Sequence, residues 1–249
     1  MARAVPMLSG PIDMPDKTTA KGLFDLPYGF ENQLMRHVAT QSGVPVGFWR
    51  SVGHSHNAFF SESFMDELAH ATKQDPLALR MSLLKAAPRY AAVLKLAADK
   101  AGWGQSLPAG RAQGLALHES FGSIVAQVAE VSVEQGAIRV HRVVCAIDCG
   151  TVVNPETVKQ QMEGSVIFGL SAALFGQIDI VGSVVQQSSF PSYPMVTLKQ
   201  APQVETHIVS STRSPQGVGE PGVPPIAPAV ANALFVLNGQ RQRALPLKA

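Results

Sequence analysis

Glu220 has the setting most suited to chemistry. It stands in the run Ser214-Pro-Gln-Gly-Val-Gly-Glu-Pro-Gly-Val-Pro-Pro225, one carboxylate among glycines at 217, 219 and 222. Glycine lets main chain approach a ligand closely. Pro221 steers Glu220 out of the helical region, so the carboxylate rides on stiff, extended backbone. A helix that begins at Pro225 brings its N-terminus nearby, where free amides attract anions such as phosphate. A fixed carboxylate beside anion-accepting main chain suits general-base work on a phosphate-bearing cofactor. The competing reading is a Gly/Pro-rich surface loop with one solvated glutamate.

Arg50 is the second candidate, in Pro45-Val-Gly-Phe-Trp-Arg-Ser-Val-Gly53. Two aromatics and an arginine between glycines can edge a pocket or touch a phosphate; stacking for packing alone is the alternative. His54 and His56 follow at a helix start, where capping or hydrogen bonding is commoner than metal ligation. Gly53-His-Ser-His-Asn57 has the outline of a nucleophile elbow but ends in Asn57 and follows no clear strand, which argues against a serine hydrolase. Glu163, in Gln160-Gln-Met-Glu-Gly164, reads as an exposed helix carboxylate. Leu117-His-Glu-Ser-Phe-Gly-Ser123 reads as a glycine-bearing loop that turns the chain or offers amides. Cys145 and Cys149 lie four residues apart in a strand-like run. That is about 13 Å along a strand, too far for a disulfide, and no Cys/His set has zinc-site spacing.

The elements that must position these groups follow from periodicity. The first ~45 residues are Pro- and Gly-punctuated, irregular chain with one or two strands. Three helices follow. The first runs from about 57 to 73 with Phe60, Phe64, Leu68 and Ala71 on one face. The second starts after Asp75 at Pro76. The third starts near Pro88, turns Val93, Leu96, Ala97 and Ala101 inward, and stops at Gly102. Strands are predicted over 114–118, 123–133 and 138–148, the last two joined by a turn at Glu134-Gln135-Gly136. Asn154-Pro155 starts a buried helix with Val158, Met162, Val166 and Leu170 at every fourth position. Strands near 176–180 and 204–210 and a helix over 225–238 complete the pattern. Segregated runs of helix and strand predict an α+β fold, divided into a part over 1–110, irregular or strand at its start and then helical with the Phe-Trp-Arg-Ser loop, and an α+β part over 111–249 with the Gly-Val-Gly-Glu loop.

The composition agrees with a chain made to be covered. Only 15% of residues are charged against 46% hydrophobic, and soluble domains usually carry roughly 25% charge. Lys plus Arg is 20 and Asp plus Glu 18, with no basic block, which argues against nucleic acid as a partner. The longest apolar-rich run, 165–175, is too short to span a bilayer.

Four stretches, VPVGFWRSVGHSHNAFFSESFMDELAH, GLALHESFGSIVAQVAEV, HRVVCAIDCGTVVNPETVKQQMEG and GVGEPGVPPIAPAVANALF, carry a resemblance in order along the chain. They resemble the C-terminal part of the molybdenum-binding large (beta) subunit in isoquinoline 1-oxidoreductase-type members of the xanthine dehydrogenase/aldehyde oxidase family.

The resemblance implies the C-terminal portion of that family's cofactor-binding fold. It implies a molybdenum–molybdopterin cofactor, in the cytosine dinucleotide form. The expected reaction is oxidation of an N-heterocycle or an aldehyde with oxygen from water. Glu220 matches the family's G-x-G-E glutamate, the general base toward the metal-bound hydroxyl. Gln216, Gly217, Val218 and Gly219 match the cofactor-contacting loop. Trp49, Arg50 and Ser51 align with an Arg-Gly motif beside the dithiolene, Arg-Ser in this chain. No side chain here is expected to ligate a metal. Electrons are expected to leave through [2Fe–2S] clusters on a small separate subunit to an acceptor such as a cytochrome. The family's Met-Gly-Gln-Gly and Gly-Gly-Gly-Phe-Gly segments belong to an N-terminal half that this sequence does not contain, so the chain is expected to act with that half. A non-catalytic remnant or assembly module is the alternative. The bacterial compartment, periplasm or cytoplasm, stays open.

Overall fold

The structure is a computed structural model and describes residues 20–38, 43–44 and 47–249. The expectations for residues 1–19 lie outside these. Three helices come first, α1 (Val52–Ala71), α2 (Pro76–Leu83) and α3 (Pro88–Ala101). A meander follows, β1 (Arg111–Ser120), β2 (Ser123–Glu134) and β3 (Ala137–Asp148). Then come α4 (Pro155–Phe175), a short hairpin of β4 (Ile180–Val181) and β5 (Val184–Val185), β6 (Gln203–Ile208) and α5 (Ile226–Asn238).

The main sheet has the order β1-β2-β3-β6. The meander is antiparallel, and β6 runs parallel to β3 with Cys145 opposite Thr206. A parallel neighbour needs a crossover, and α4 supplies it. Both faces of the sheet are covered, so β2 is buried without a break from Ser123 to Ser132. One face packs Leu115, Ile124, Val128 and Val144 against Met65 of α1 and Val93, Leu94 and Ala97 of α3. The other packs Ala116, Ala129 and Val143 against Val166 and Leu170 of α4 and Val230 and Leu234 of α5. Residues on either side of position 110 thus share one core. The segregated α+β pattern is as expected.

Local chemistry sets the boundaries. Asp75 Oδ1 accepts the Leu77 and Ala78 amides, each at 2.9 Å, and Asn154 Oδ1 accepts those of Glu156 and Thr157 at 3.0 and 3.2 Å. Gly102 ends α3 at φ 68°. On β1, an added Cβ at Gly114 would sit 2.2 Å from the Ala229 carbonyl oxygen and 2.3 Å from the Ala233 nitrogen. Only glycine admits α5 this close. The thiols of Cys145 and Cys149 are free and buried. Among the described residues no helix is long and apolar enough to cross a membrane.

One local expectation is sharpened and two are corrected. The Phe60/Phe64 stripe of α1 is the outer one, with those rings 54% and 56% exposed. It lines an apolar groove of about 520 Å³ with Leu23, Leu26, Phe30 and Leu34. The buried side carries Ala58, Phe59, Met65 and Ala69 together with Asn57, Glu62 and Asp66, the last three each satisfied by partners that a periodicity count does not weigh. Gly176 to Asp179 is not strand: Gly176 caps α4, and pairing begins only at Ile180. The stretch 117–123 is mostly strand, with the turn confined to Phe121-Gly122, at φ 54° and 79°.

Glu62 is the polar centre of the helical face. Its Oε2 accepts Arg80 Nε at 3.0 Å and the Leu117 amide at 2.9 Å, and its Oε1 accepts the Tyr28 hydroxyl at 2.6 Å. The Glu62 and Arg80 side chains are both 0% exposed. One carboxylate therefore ties α1 to α2, to β1 and to the segment before α1. Burial, and then the charge of Glu62, hold the Tyr28 hydroxyl well above its ordinary pKa.

Candidate functional site

Two loops 169 residues apart in sequence meet at one end of the sheet. Arg50 Nε donates to the Gly219 carbonyl at 2.7 Å, and Nη2 donates to the same oxygen. Nη2 also reaches Ser165 Oγ at 2.8 Å and Gln161 Oε1 at 3.3 Å, both on α4. Phe168, one turn on, lies 5.4 Å from the guanidinium and stacks Trp49 at 4.7 Å between centroids. Arg50 thus acts first as the rivet between the glycine loop and α4. Partial burial lowers its pKa from the ordinary value, and the charge of Glu220 acts in the opposite sense.

Ser51 completes the junction. Its amide donates to Glu220 Oε1 at 3.0 Å, and its hydroxyl donates to the Glu220 carbonyl at 2.7 Å. This geometry needs an unusual turn: Ser51 and Val52 have φ of 72° and 48°. A β-branched residue there is an outlier, a strain of about 1–3 kcal/mol that surrounding contacts must hold.

The glycine loop is fixed from beneath. The Gln216 amide donates to the Cys149 carbonyl at 2.9 Å and the Gly217 amide to the Phe121 carbonyl at 3.2 Å. Ser123 Oγ donates to the Gly217 carbonyl at 2.6 Å, and Gln127 Nε2 to the Gly222 carbonyl at 2.7 Å. The glycines have distinct tasks. A Cβ at Gly222 would lie 2.7 Å from Ser165 Cβ, so this glycine admits α4. A Cβ at Gly219 would meet nothing nearer than Gln161 Oε1 at 3.9 Å. Gln216, Gly217 and Gly219 are exposed, Val218 and Glu220 half-buried. The loop turns bare main chain outward beside a held carboxylate, a cradle that fits a large polyanionic cofactor.

The start of α5 plays a different part from the one its sequence suggests. Residues 221–230 are buried, and Pro224, Pro225 and Pro228 carry no N–H. The Gln216 and Gly217 amides are taken by Cys149 and Phe121, so the main-chain donors that the loop leaves for an anion are those of Val218 and Gly219, not those of this helix end.

All the residues singled out by sequence at 49–51 and 216–220 therefore converge, whereas Glu163 stays exposed. Sequence reasoning missed Gln161 and Ser165, whose only signal was their i, i+4 spacing on α4. It also missed the bond between His54 Nδ1 and His118 Nε2, 3.0 Å long.

Two measurable outcomes follow. Arg50→Lys cannot span the Gly219 carbonyl and α4 together, and is expected to lower stability by about 1–3 kcal/mol in denaturant melts. The second concerns pH. Burial, and then His54, push the His118 pKa down to about 3 from an ordinary 6.5. The unfolded chain binds the proton more readily, so this contribution is complete above pH 6.5 and is lost as pH falls toward 3. At pH 5 the loss is about 2 kcal/mol. Melts at pH 7 and pH 5 are expected to differ less by that amount in His118→Gln, which does not titrate.

Comparison with known proteins matches the chain to a family. Residues 65–202, more than half of the chain, match the molybdopterin cofactor-binding domain. The chain is 34% identical over 230 residues to the beta subunit of isoquinoline 1-oxidoreductase from Brevundimonas diminuta, covering 90% of this chain and 29% of that one. It is 32% identical over 257 residues to a nicotinate dehydrogenase subunit of Pseudomonas putida, covering 95% and 21%. It thus spans under a third of these relatives' length. The fold resembles that of the aldehyde oxidoreductase from Desulfovibrio desulfuricans, with a TM-score of 0.62 at 16% identity over 80% of this chain and 40% of that one. The chain belongs to the family of molybdopterin cofactor-binding domains of the xanthine dehydrogenase type.

Proposed function

We propose that the chain forms the Glu220-bearing part of the active site of a molybdenum hydroxylase-type oxidoreductase. The observation that carries this reading is the junction itself, where the Ser51 amide holds Glu220 Oε1 beside the outward main chain of the glycine loop. The cofactor is molybdenum–molybdopterin in its cytosine dinucleotide form, held by main chain of Gln216, Gly217, Val218 and Gly219 and bordered by Trp49, Arg50 and Ser51. When bound, that group supplies two-electron oxidation of a carbon with oxygen taken from water.

The chain's own residues then have defined tasks. Glu220 is the general base. Its Oε1 is committed to the Ser51 amide, which orients the carboxylate, so the proton arrives at Oε2. Arg50 fixes the loop carbonyl at Gly219 and so sets the direction of the next residue, Glu220. The substrate is an N-heterocycle or an aldehyde, in keeping with relatives named for isoquinoline and nicotinate. Electrons leave through a small [2Fe–2S] subunit to an acceptor such as a cytochrome, and the N-terminal half of the large subunit completes the pocket.

The test is coexpression with that half and the small subunit, followed by molybdenum analysis and assay with isoquinoline, nicotinate and an aliphatic aldehyde. Stoichiometric metal with turnover of one compound class is expected. An assembled complex without metal would favour an assembly module instead.

A further inference from the structure

We propose that the His54–His118 pair is a positioning device for Glu220, clamping the strained Ser51–Val52 turn to the β1–β2 hairpin so that the Ser51 amide stays on the carboxylate. The proposal rests on the reading of Glu220 as the base.

The geometry closes a ring. Ser51 donates its amide to Glu220, and its carbonyl accepts the His54 amide at 3.0 Å. The His54 ring bonds His118, near the end of β1, and lies 5.5 Å from Phe121 at the hairpin tip. The Phe121 carbonyl accepts the Gly217 amide, which returns the ring to the loop that bears Glu220. Two consecutive residues at positive φ relax unless neighbours over-determine them. The imidazole pair ties that turn across from α1 to the sheet.

A third element shapes the clamp. Gly22, at φ +76°, covers both rings: a Cβ there would lie 2.5 Å from His54 Nδ1 and 2.6 Å from His118 Nε2. The groups around His54 are Lys21, Asp25, Glu119, Glu220 and His118. Burial, and then Lys21, lower its pKa, against the three carboxylates. Two neutral imidazoles share one N–H···N bond without repulsion, so the clamp adds orientation and no net charge beside the base.

Hydrogen exchange at the Ser51 amide reads the clamp without reference to turnover. In His118→Leu and Gly22→Ala, protection at Ser51 is expected to fall about 10- to 100-fold, with β2 core amides such as Val128 unchanged. His118→Gln keeps a hydrogen-bonding group near the Nε2 position and is expected to restore most of it. In the assembled enzyme, kcat for isoquinoline, nicotinate or an aliphatic aldehyde should fall by up to about 10²-fold in His118→Leu with KM little changed. Ser51 protection unchanged in both His118→Leu and Gly22→Ala overturns the proposal while leaving Glu220 as the base. Lost protection with full turnover likewise overturns the proposal, because the carboxylate then works without the Ser51 contact; full turnover in Glu220→Gln is the separate outcome that overturns the base reading.

Discussion

Glu220→Gln is expected to cut turnover by about 10²–10⁴-fold in the assembled enzyme, with molybdenum content unchanged. The substitution is close to isosteric. The amide oxygen of glutamine can still accept the Ser51 amide, and the backbone carbonyl at 220 still accepts Ser51 Oγ and the Val223 amide. The Arg50 contacts go to Gly219, Gln161 and Ser165, none of which changes. What disappears is the capacity to take a proton. A fall in kcat and kcat/KM together marks an interaction made only in the transition state. Turnover within threefold of wild type would remove Glu220 from the role of base. Loss of metal along with activity would make it a binding residue instead.

The second large effect is on stability. Arg80→Met is expected to cost about 3–5 kcal/mol, because it leaves Glu62 charged and fully buried without its counter-ion. In a chain of this size that lowers Tm by about 10 °C. The Leu117 amide and the Tyr28 hydroxyl remain as donors to the carboxylate but supply no full charge. The double variant Glu62→Gln/Arg80→Met is expected to recover much of the loss, since neither buried charge then remains. Equal losses in the single and double variants would show that packing of the arginine stem, not charge, sets the cost. Circular-dichroism melts of the three proteins decide.

The contrast between α4 and α1 explains what could be read from the sequence. In α4 the residues at every fourth position, Val158, Met162, Val166 and Leu170, are all buried, because the helix presents one apolar stripe to a sheet. In α1 the Phe60/Phe64 stripe is exposed and the buried side mixes Ala58, Phe59, Met65 and Ala69 with Asn57, Glu62 and Asp66. Hydropathy assigns such groups to solvent. Their burial depends on Arg80, Leu117 and Arg241, which lie elsewhere in the chain. The meander was legible because alternation and the Glu134-Gln135-Gly136 turn are local. The strand expected near 176–180 was misplaced because the pairing there is a hairpin whose strands hold only two residues each, β4 starting at Ile180. For the site, composition alone marked Glu220 and its glycines. Their pairing with Arg50 and Ser51 is a long-range contact that no local signal encodes. The same holds for His54 with His118, which stand 64 residues apart.

The distance from Arg50 to Gly219 also sets a schedule. A ribosome adding about 5–20 residues per second needs roughly 10–30 s to cover that interval. Throughout it Arg50 has been made, while the carbonyl it will grip has not. The 216–220 loop is among the later parts of this sequence to be synthesised, and its contacts on α4 and at the β1–β2 turn are with segments made before it. A group that needs the Gly219 junction can be gripped there only after residue 219 has been made.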